Sequence, residues 1–436
     1  MEPAQVKRRN LPEFGHPVRP AKFCNTDRMF EVMEQRGIDG FVSYYDTNVY
    51  YFSGFTPSAR HALQEANGLA AIVLSRHAPD HPIMLVGDQQ FPFFLNQPTW
   101  ITDIRAYAGG IRQLDLPDEH NGLHRFLPKA WAETEAGKHA AANYYIGLKA
   151  AVMSAISDLG LGRGRVATDN LSFAGSLDLP DAEIVDGYGM MKFVRSVKTA
   201  EELTMLRQAT RINQLAIERT AAGWEKGQTW QEINHSYFRH AVELGGFVRG
   251  PSPLAVANPL PGEPDALLMQ SLREMDYVIP EGAHIVIDGH GEWLEYCWDG
   301  GKTWIAGNEP TREGQRVADA CGAALEEINA ALVPGSTVSG LQALGRDVLR
   351  RHGLPRPEAA FIYFHGMGLE HGELEAPRGG GYTTGGALDW RMEKGMVVAT
   401  HIFYPGDIRT RHWLEDITLV TDHGGETFFT WGTDFI

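Results

Sequence analysis

The sequence predicts two successive domains, an α/β domain followed by a second domain of long helices and intervening strands. Three observations predict this. The chain has 436 residues, more than one core of about 150 residues needs. Short apolar runs alternate with helical stretches before residue 186. After residue 195, two capping boxes open helices, and the strand-like runs that follow carry acids and histidines.

Residues 1–20 hold four prolines and mixed charge, and read as an extended arm packed on a partner subunit. The α/β domain is placed at 21–190. Asn25 or Thr26 caps a helix carrying Met29, Phe30, Val32 and Met33 that ends at Gly37. Apolar runs follow at 40–45 (GFVSYY), 69–75 (LAAIVLS) and 82–88 (PIMLVGD). The boundary to the second domain, 191–436, falls within 186–195.

The second domain opens with Thr199-x-x-Glu202, in which each side chain can satisfy the other's backbone donor. Leu203, Leu206, Ala209, Ile212 and Leu215 continue at near-helical spacing. Thr229-x-x-Glu232 starts another helix ending near Gly245, and further helices fit 311–331 and 338–352, the last stopped by Gly353. Strand runs are expected at 284–290, 396–403 and 415–421.

A net charge of -16 argues against nucleic acid, because phosphate binding needs concentrated Lys and Arg. Hydrophobic residues at 43% and charged residues at 22% place the chain among ordinary globular proteins. Cys24, Cys297 and Cys321 form no disulfide framework. The N-terminal stretch has no apolar segment of the secretory type, and no run has membrane-spanning length. The expectation is a cytoplasmic protein acting on a small-molecule substrate, without nucleic-acid or membrane partners.

Chemistry concentrates in the second domain. Asp288 ends the run Ile285-Val286-Ile287, and on a strand it would share a face with His290. A hairpin through WLEYCW would return Asp299 beside Asp288, where two carboxylates repel unless a proton or cation lies between them. A turn Asp and a loop Asp are the alternative. His365 lies in the Gly-rich FHGMGLEHGE, where it is either structural or a ligand. His401 interrupts the apolar MVVATHIF, so a buried imidazole there needs a partner or a metal. Glu415 and Asp416 open the run EDITLVT, where an edge ion pair is the alternative. Two Asp, two His and one Glu suit Zn, Mn or Fe better than Ca.

These residues lie in motifs that resemble the creatinase/aminopeptidase P/methionine aminopeptidase superfamily. RSVKTAEE (195–202) looks like its R-x-x-K-s-x-x-E opening. EGAHIVIDGHG (281–291), LVPGST (332–337), HGMGLE (365–370), EKGMVV (393–398) and LEDITLVT (414–421) match further landmarks in order. RGIDGFVSYYDTNVYYFSGF (36–55) looks like the creatinase N-terminal domain. The resemblance implies a creatinase-like α/β N-terminal domain and an α+β "pita-bread" catalytic domain, in an Xaa-Pro dipeptidase-like layout. It implies a homodimer and one or two divalent metal ions. Asp288, Asp299, His365 and Glu415 fall on four of five family ligand positions, and His401 stands where the family has Glu.

Two family histidines are displaced. The His seven residues after the metal His is Gly372 here, with His371 one residue early. The upstream His near G-x-N is missing from 258–267. The implied reaction is hydrolysis of a C–N bond in a small amide, dipeptide or cyclic compound by a metal-acidified hydroxide, with His371, Glu373 and His290 as acid/base candidates. The alternatives are β-elimination from a small onium acid, as in the superfamily's dimethylsulfoniopropionate lyases, and a non-catalytic metal-binding relative. For an onium substrate, Trp293, Tyr296 and Trp298 supply a cation–π wall, whereas core packing is the other reading of these aromatics.

Overall fold

The computed structural model describes residues 19–57, 67–109, 113–117, 120–248, 276–373 and 389–436. The expected arm and the segment 258–267 lie largely or wholly outside them. Contacts divide the described chain into two units, one from Arg19 to Arg195 and one from Ser196 onward.

The first unit is built on a seven-stranded mixed sheet. In chain order its strands are β1 (Gly40–Tyr45), β2 (Asn67–Ser75), β3 (Ile83–Gly87), β4 (Asp103–Tyr107), β5 (Tyr144–Tyr145), β6 (Gly164–Thr168) and β7 (Ala182–Asp186), arranged β5-β4-β3-β2-β1-β6-β7. Pairs β1–β2 and β2–β3 are antiparallel, and the outer pairs are parallel. Helix α1 (Thr26–Gln35) begins where the sequence signals, with Asn25 accepting from Arg28 N. Its stripe of Met29, Val32 and Met33 is buried. Helix α2 (Asp46–Ser53) is buried throughout and ends at Gly54, whose φ of 75° gives the left-handed cap. Helix α3 (Leu148–Asp158) lays Ala151, Val152, Ala155 and Ile156 against Val42, Val73 and Leu85 of the sheet.

The second unit opens with α4 (Ala200–Ala222) and α5 (Trp230–Glu243), and both expected capping boxes form with both reciprocal bonds. Helices α6 (Arg312–Ala331) and α7 (Val338–Arg351) cover one face of a four-stranded antiparallel sheet. Its strands are β12 (Phe361–Gly366), β13 (Val397–Tyr404), β14 (His412–Thr421) and β15 (Gly424–Thr427). Successive side chains of a strand point to opposite faces. Ile362 and Phe364, Val398 and Ile402, and Leu414 therefore pack with the helices. Tyr363, His365, His401, Trp413 and Glu415 occupy the alternate positions, on the other face.

Short strands complete the unit: β8 (His284–Val286), β9 (Gly291–Trp293), β10 (Tyr296–Trp298) and β11 (Thr303–Ile305). Here the structure corrects the expectation. The run 284–290 is not one strand, because β8 ends at Val286 and Asp288 and His290 lie in irregular chain. The return to Asp299 is two nested antiparallel pairs, β8–β11 outside and β9–β10 inside. The inner turn places Leu294 and Glu295 at φ of 49° and 67°, so it twists as a tight hairpin without glycine. Glu415 and Asp416 do not open their strand; they are its fourth and fifth residues, since β14 begins at His412. The three cysteines are buried thiols, and none forms a disulfide among the described residues. No helix among the described residues is long and apolar enough to cross a membrane.

Candidate metal centre

The face of the β12–β14 sheet turned away from α6 and α7 positions three side chains. On β13, His401 stands opposite Glu415 of β14 and Tyr363 of β12. His365, two residues along β12 from Tyr363, is opposite Ala399. The small Ala399 side chain leaves His365 room beside His401, and the two rings lie 4.9 Å apart. Tyr363 stacks on His401 at 3.8 Å and 16°, and Trp413 meets it edge-on at 5.5 Å. The imidazole is therefore fixed in orientation and cut off from water.

The nested hairpin brings the aspartates. Gly289 N donates to Gly300 O at 3.0 Å, joining the segment of Asp288 to that of Asp299. Asn213 of α4 donates to the carbonyls of Asp299 (3.1 Å) and Gly300 (2.8 Å). Tyr237 of α5 donates to Asn213, and Trp298 Nε1 donates to Tyr237. This relay passes so close to Gly289 that a Cβ there would lie 2.2 Å from Asn213 Oδ1, and only glycine fits.

Donor atoms of Asp299, His365, His401 and Glu415 all lie within 4.8 Å of one another, and all four residues are buried. His401 Nε2 is 2.7 Å from Glu415 Oε1, and His365 Nε2 is 3.2 Å from Asp299 Oδ2. A second set, His290, Asp299 and His371, meets the same distance limit. His290 Nε2 is 2.9 Å from Asp299 Oδ1 and 3.6 Å from Asp288 Oδ1. His371 Nε2 is 3.5 Å from Asp299 Oδ2. The side chains of His290 and His371 are 27% and 25% exposed, against 2% for Asp299, so they form the open side of the cluster.

The charges are crowded. Burial pushes the Asp288 carboxyl up to about 6, with His290 opposing and Asp299 adding repulsion. Burial and then the charges of Asp299 and Asp288 hold Glu415 well above the carboxylate range. For Asp299, burial is outweighed by His290 and His371, and its carboxyl lies well below that range. Burial would lower His290, but Asp288 and Asp299 overcome it and raise it to about 10. Burial and the neighbouring His365 keep His401 well below the usual imidazole value.

These residues fit a divalent cation. Three buried carboxyls, Asp288, Asp299 and Glu415, stand close enough to repel one another, with the buried imidazoles of His365 and His401 beside them at 3.2 and 2.7 Å. Carboxylates and neutral imidazole at this spacing form an oxygen–nitrogen donor set suited to a divalent ion.

The other sequence-singled residues lie differently. Glu373 is committed to structure: its Oε2 accepts from buried Lys198 at 2.5 Å, and its Oε1 accepts from Leu369 N (2.9 Å) and Glu370 N (3.3 Å). Those bonds engage both oxygens of Glu373. Tyr296 and Trp298 are fully enclosed, with their polar atoms turned inward to Glu202 and Tyr237, and Trp293 is buried. Tyr296 and Trp298 back the site and offer a ligand no open face. Sequence reasoning missed Asn213 and Tyr237, which stand at helical positions without any distinguishing pattern. Lys198 carried a signal, as the lysine of the motif at 195–202.

Residues 204–422 match the model of metallopeptidase family M24, and residues 26–86 match the creatinase/prolidase N-terminal domain. An uncharacterized peptidase of Staphylococcus saprophyticus is 23% identical over 268 residues, spanning 56% of this chain and 68% of the relative. The X-Pro aminopeptidase of Thermotoga maritima superposes with a TM-score of 0.63 at 19% identity, covering 94% of this chain and 99% of that one. The prolidase of Pyrococcus furiosus gives 0.60 at 17%, covering 92% and 98%. The Xaa-Pro dipeptidase of Bacillus anthracis gives 0.63 at 19%, covering 94% and 98%. At these identities the solved structures speak for the two-domain pita-bread fold. The chain belongs to metallopeptidase family M24 and carries a creatinase-type N-terminal domain.

Proposed function

We propose that this protein is a metal-dependent hydrolase cleaving a C–N bond in a small amide, dipeptide or cyclic compound. The observation that carries the reading is the convergence of Asp299, His365, His401 and Glu415 inside a metallopeptidase domain. The names of the solved relatives, X-Pro aminopeptidase, prolidase and Xaa-Pro dipeptidase, support the bond type.

A divalent Zn, Mn or Fe held there supplies Lewis acidity toward a carbonyl oxygen and acidifies water at neutral pH. The chain's own residues do the rest. Glu415, Asp299 and Asp288 supply the negative charge that holds the ion. His401 presents a neutral nitrogen, because its burial disfavours the protonated form. Tyr363 and Trp413 exclude water from the floor, which strengthens the electrostatics of the ligand set. A substrate approaches from the side of His290 and His371, the partly exposed members of the cluster. A homodimer belongs to the same proposal.

The test is a panel of Xaa-Pro and other dipeptides, small linear amides and cyclic amides, run on protein loaded with Zn, Mn or Fe. Amine release that a chelator abolishes is the expected result. An onium acid run in parallel scores alkene formation. Absence of amine release from every member would overturn the reading, as would release indifferent to chelation.

A further inference from the structure

Asp299 is surrounded by more imidazole than the family pattern accounts for. His290 approaches one of its oxygens at 2.9 Å, while His365 and His371 approach the other at 3.2 and 3.5 Å. Of these three, only His365 occupies a position that the family uses for metal. The rings of His290 and His371 meet edge-on with centroids 5.4 Å apart, and their Nε2 atoms lie 2.9 and 3.5 Å from the two Asp299 oxygens. Their donor atoms and that of Asp299 all lie within 4.8 Å of one another. Two nitrogens on one tetrahedral ion are ~3.3 Å apart, given bonds of ~2.0–2.1 Å. The set closes on an ion by side-chain adjustments of about 1 Å.

We propose that His290 and His371 are themselves metal ligands, beside the Asp299 carboxylate. One cation is held by His365, His401 and Glu415, and the other by His290 and His371. The proposal rests on the reading that this cluster binds divalent metal. Asp288, 3.6 Å from His290 and in electrostatic contact with Glu415, neighbours both sets and adds a third carboxylate. The ligand shell so formed has four imidazoles and three carboxylates. Such a shell favours Zn or Fe and disfavours Mg and Ca, which take oxygen. The inner ion is enclosed and the outer one is partly open to solvent, so the outer ion is the more readily exchanged.

X-ray absorption at the zinc edge of wild-type protein saturated with Zn tests this without any variant. Imidazole rings scatter in the outer shells, and the expected result is two imidazoles per ion. One imidazole per ion would overturn the proposal. Metal analysis after removal of free Zn gives a second check. Wild type should hold two equivalents, and the double variant His290→Ala/His371→Ala should hold one, with its folded circular dichroism retained. Two equivalents held by that variant at wild-type affinity would overturn the proposal. A wild-type protein with a single equivalent would overturn the second site and leave the hydrolase reading standing. A wild-type protein that binds no metal would overturn both.

Discussion

His401 and Glu415 are direct cross-strand partners on β13 and β14, and their Nε2 and Oε1 atoms lie 2.7 Å apart. The family places an acid where this chain has His401. A second carboxylate at that spot would meet Glu415 at the same distance, with Tyr363 stacked against it. His401→Glu should therefore destabilise the metal-free protein by about 3 kcal/mol, because it buries a further carboxyl beside Glu415 and Asp299 in place of a neutral imidazole. Added Zn or Mn should restore more of the melting temperature in this variant than in wild type. Equal metal-induced shifts in the two proteins would show that position 401 does not face the ion.

Asn213 holds the backbone of Asp299 and Gly300 from the side away from the ligands. Asn213→Ala leaves two buried carbonyls and the Tyr237 hydroxyl with fewer partners. The expected cost is about 2 kcal/mol of stability. Because Asp299 loses its anchor, metal affinity should also fall about 10-fold or more. Titration with a competing chelator measures the second effect, and an unchanged affinity would reduce Asn213 to a packing residue.

Lys198 and Glu373 form a buried ion pair, at 0% and 1% side-chain exposure. Lys198→Met leaves the Glu373 charge without its cation, at a cost of about 3–5 kcal/mol. Adding Glu373→Leu should recover only part of this, since the carboxylate also accepts from Leu369 N and Glu370 N. Denaturant midpoints of the two single variants and the double variant measure the coupling. Strictly additive losses would show that the pair does not act as a unit.

The first unit should be acid-sensitive through Asp103 on β4. Its carboxylate accepts from Arg105 Nε (3.0 Å) and lies 2.8 Å from His139 and 3.0 Å from His81. Burial opposes ionisation, but Arg105, His139 and His81 together lower its pKa to about 2. The folded value is below the unfolded one, so the stabilisation is full above about pH 4 and is lost as pH falls toward 2. After allowance for the exposed histidines it is worth about 1 kcal/mol. Asp103→Asn should be less stable than wild type at about pH 6, and the gap should narrow at about pH 3. A gap independent of pH would mean that the pair contributes no charge-dependent stability.

The local features were legible in the sequence. Asn25, Thr199 and Thr229 cap the helices they were expected to cap, because capping involves residues three apart in the chain. The runs at 40–45, 396–403 and 415–421 form strands, because their composition suits a buried pleated surface. The family motifs likewise fixed which residue types stand at 288, 299, 365, 401 and 415.

Only the tertiary structure decided how those residues meet. Both faces of β13 are buried, so its alternation is invisible in composition. The helices α6 and α7 settle the matter by covering Val398 and Ile402, which leaves His401 on the side of Glu415. Asp288 and His290 share a site through a loop and a nested hairpin, whereas strand periodicity had predicted a continuous strand. Glu373 finds Lys198 across 175 residues, and Asn213 finds Asp299 across 86. Contacts at such separations are set by how helices and sheets pack, and no spacing rule along the chain encodes them. The gathering of His290, His365 and His371 around one carboxylate is of the same kind: the sequence supplied the histidines, and the packing of the hairpin on the sheet turned their nitrogens toward Asp299.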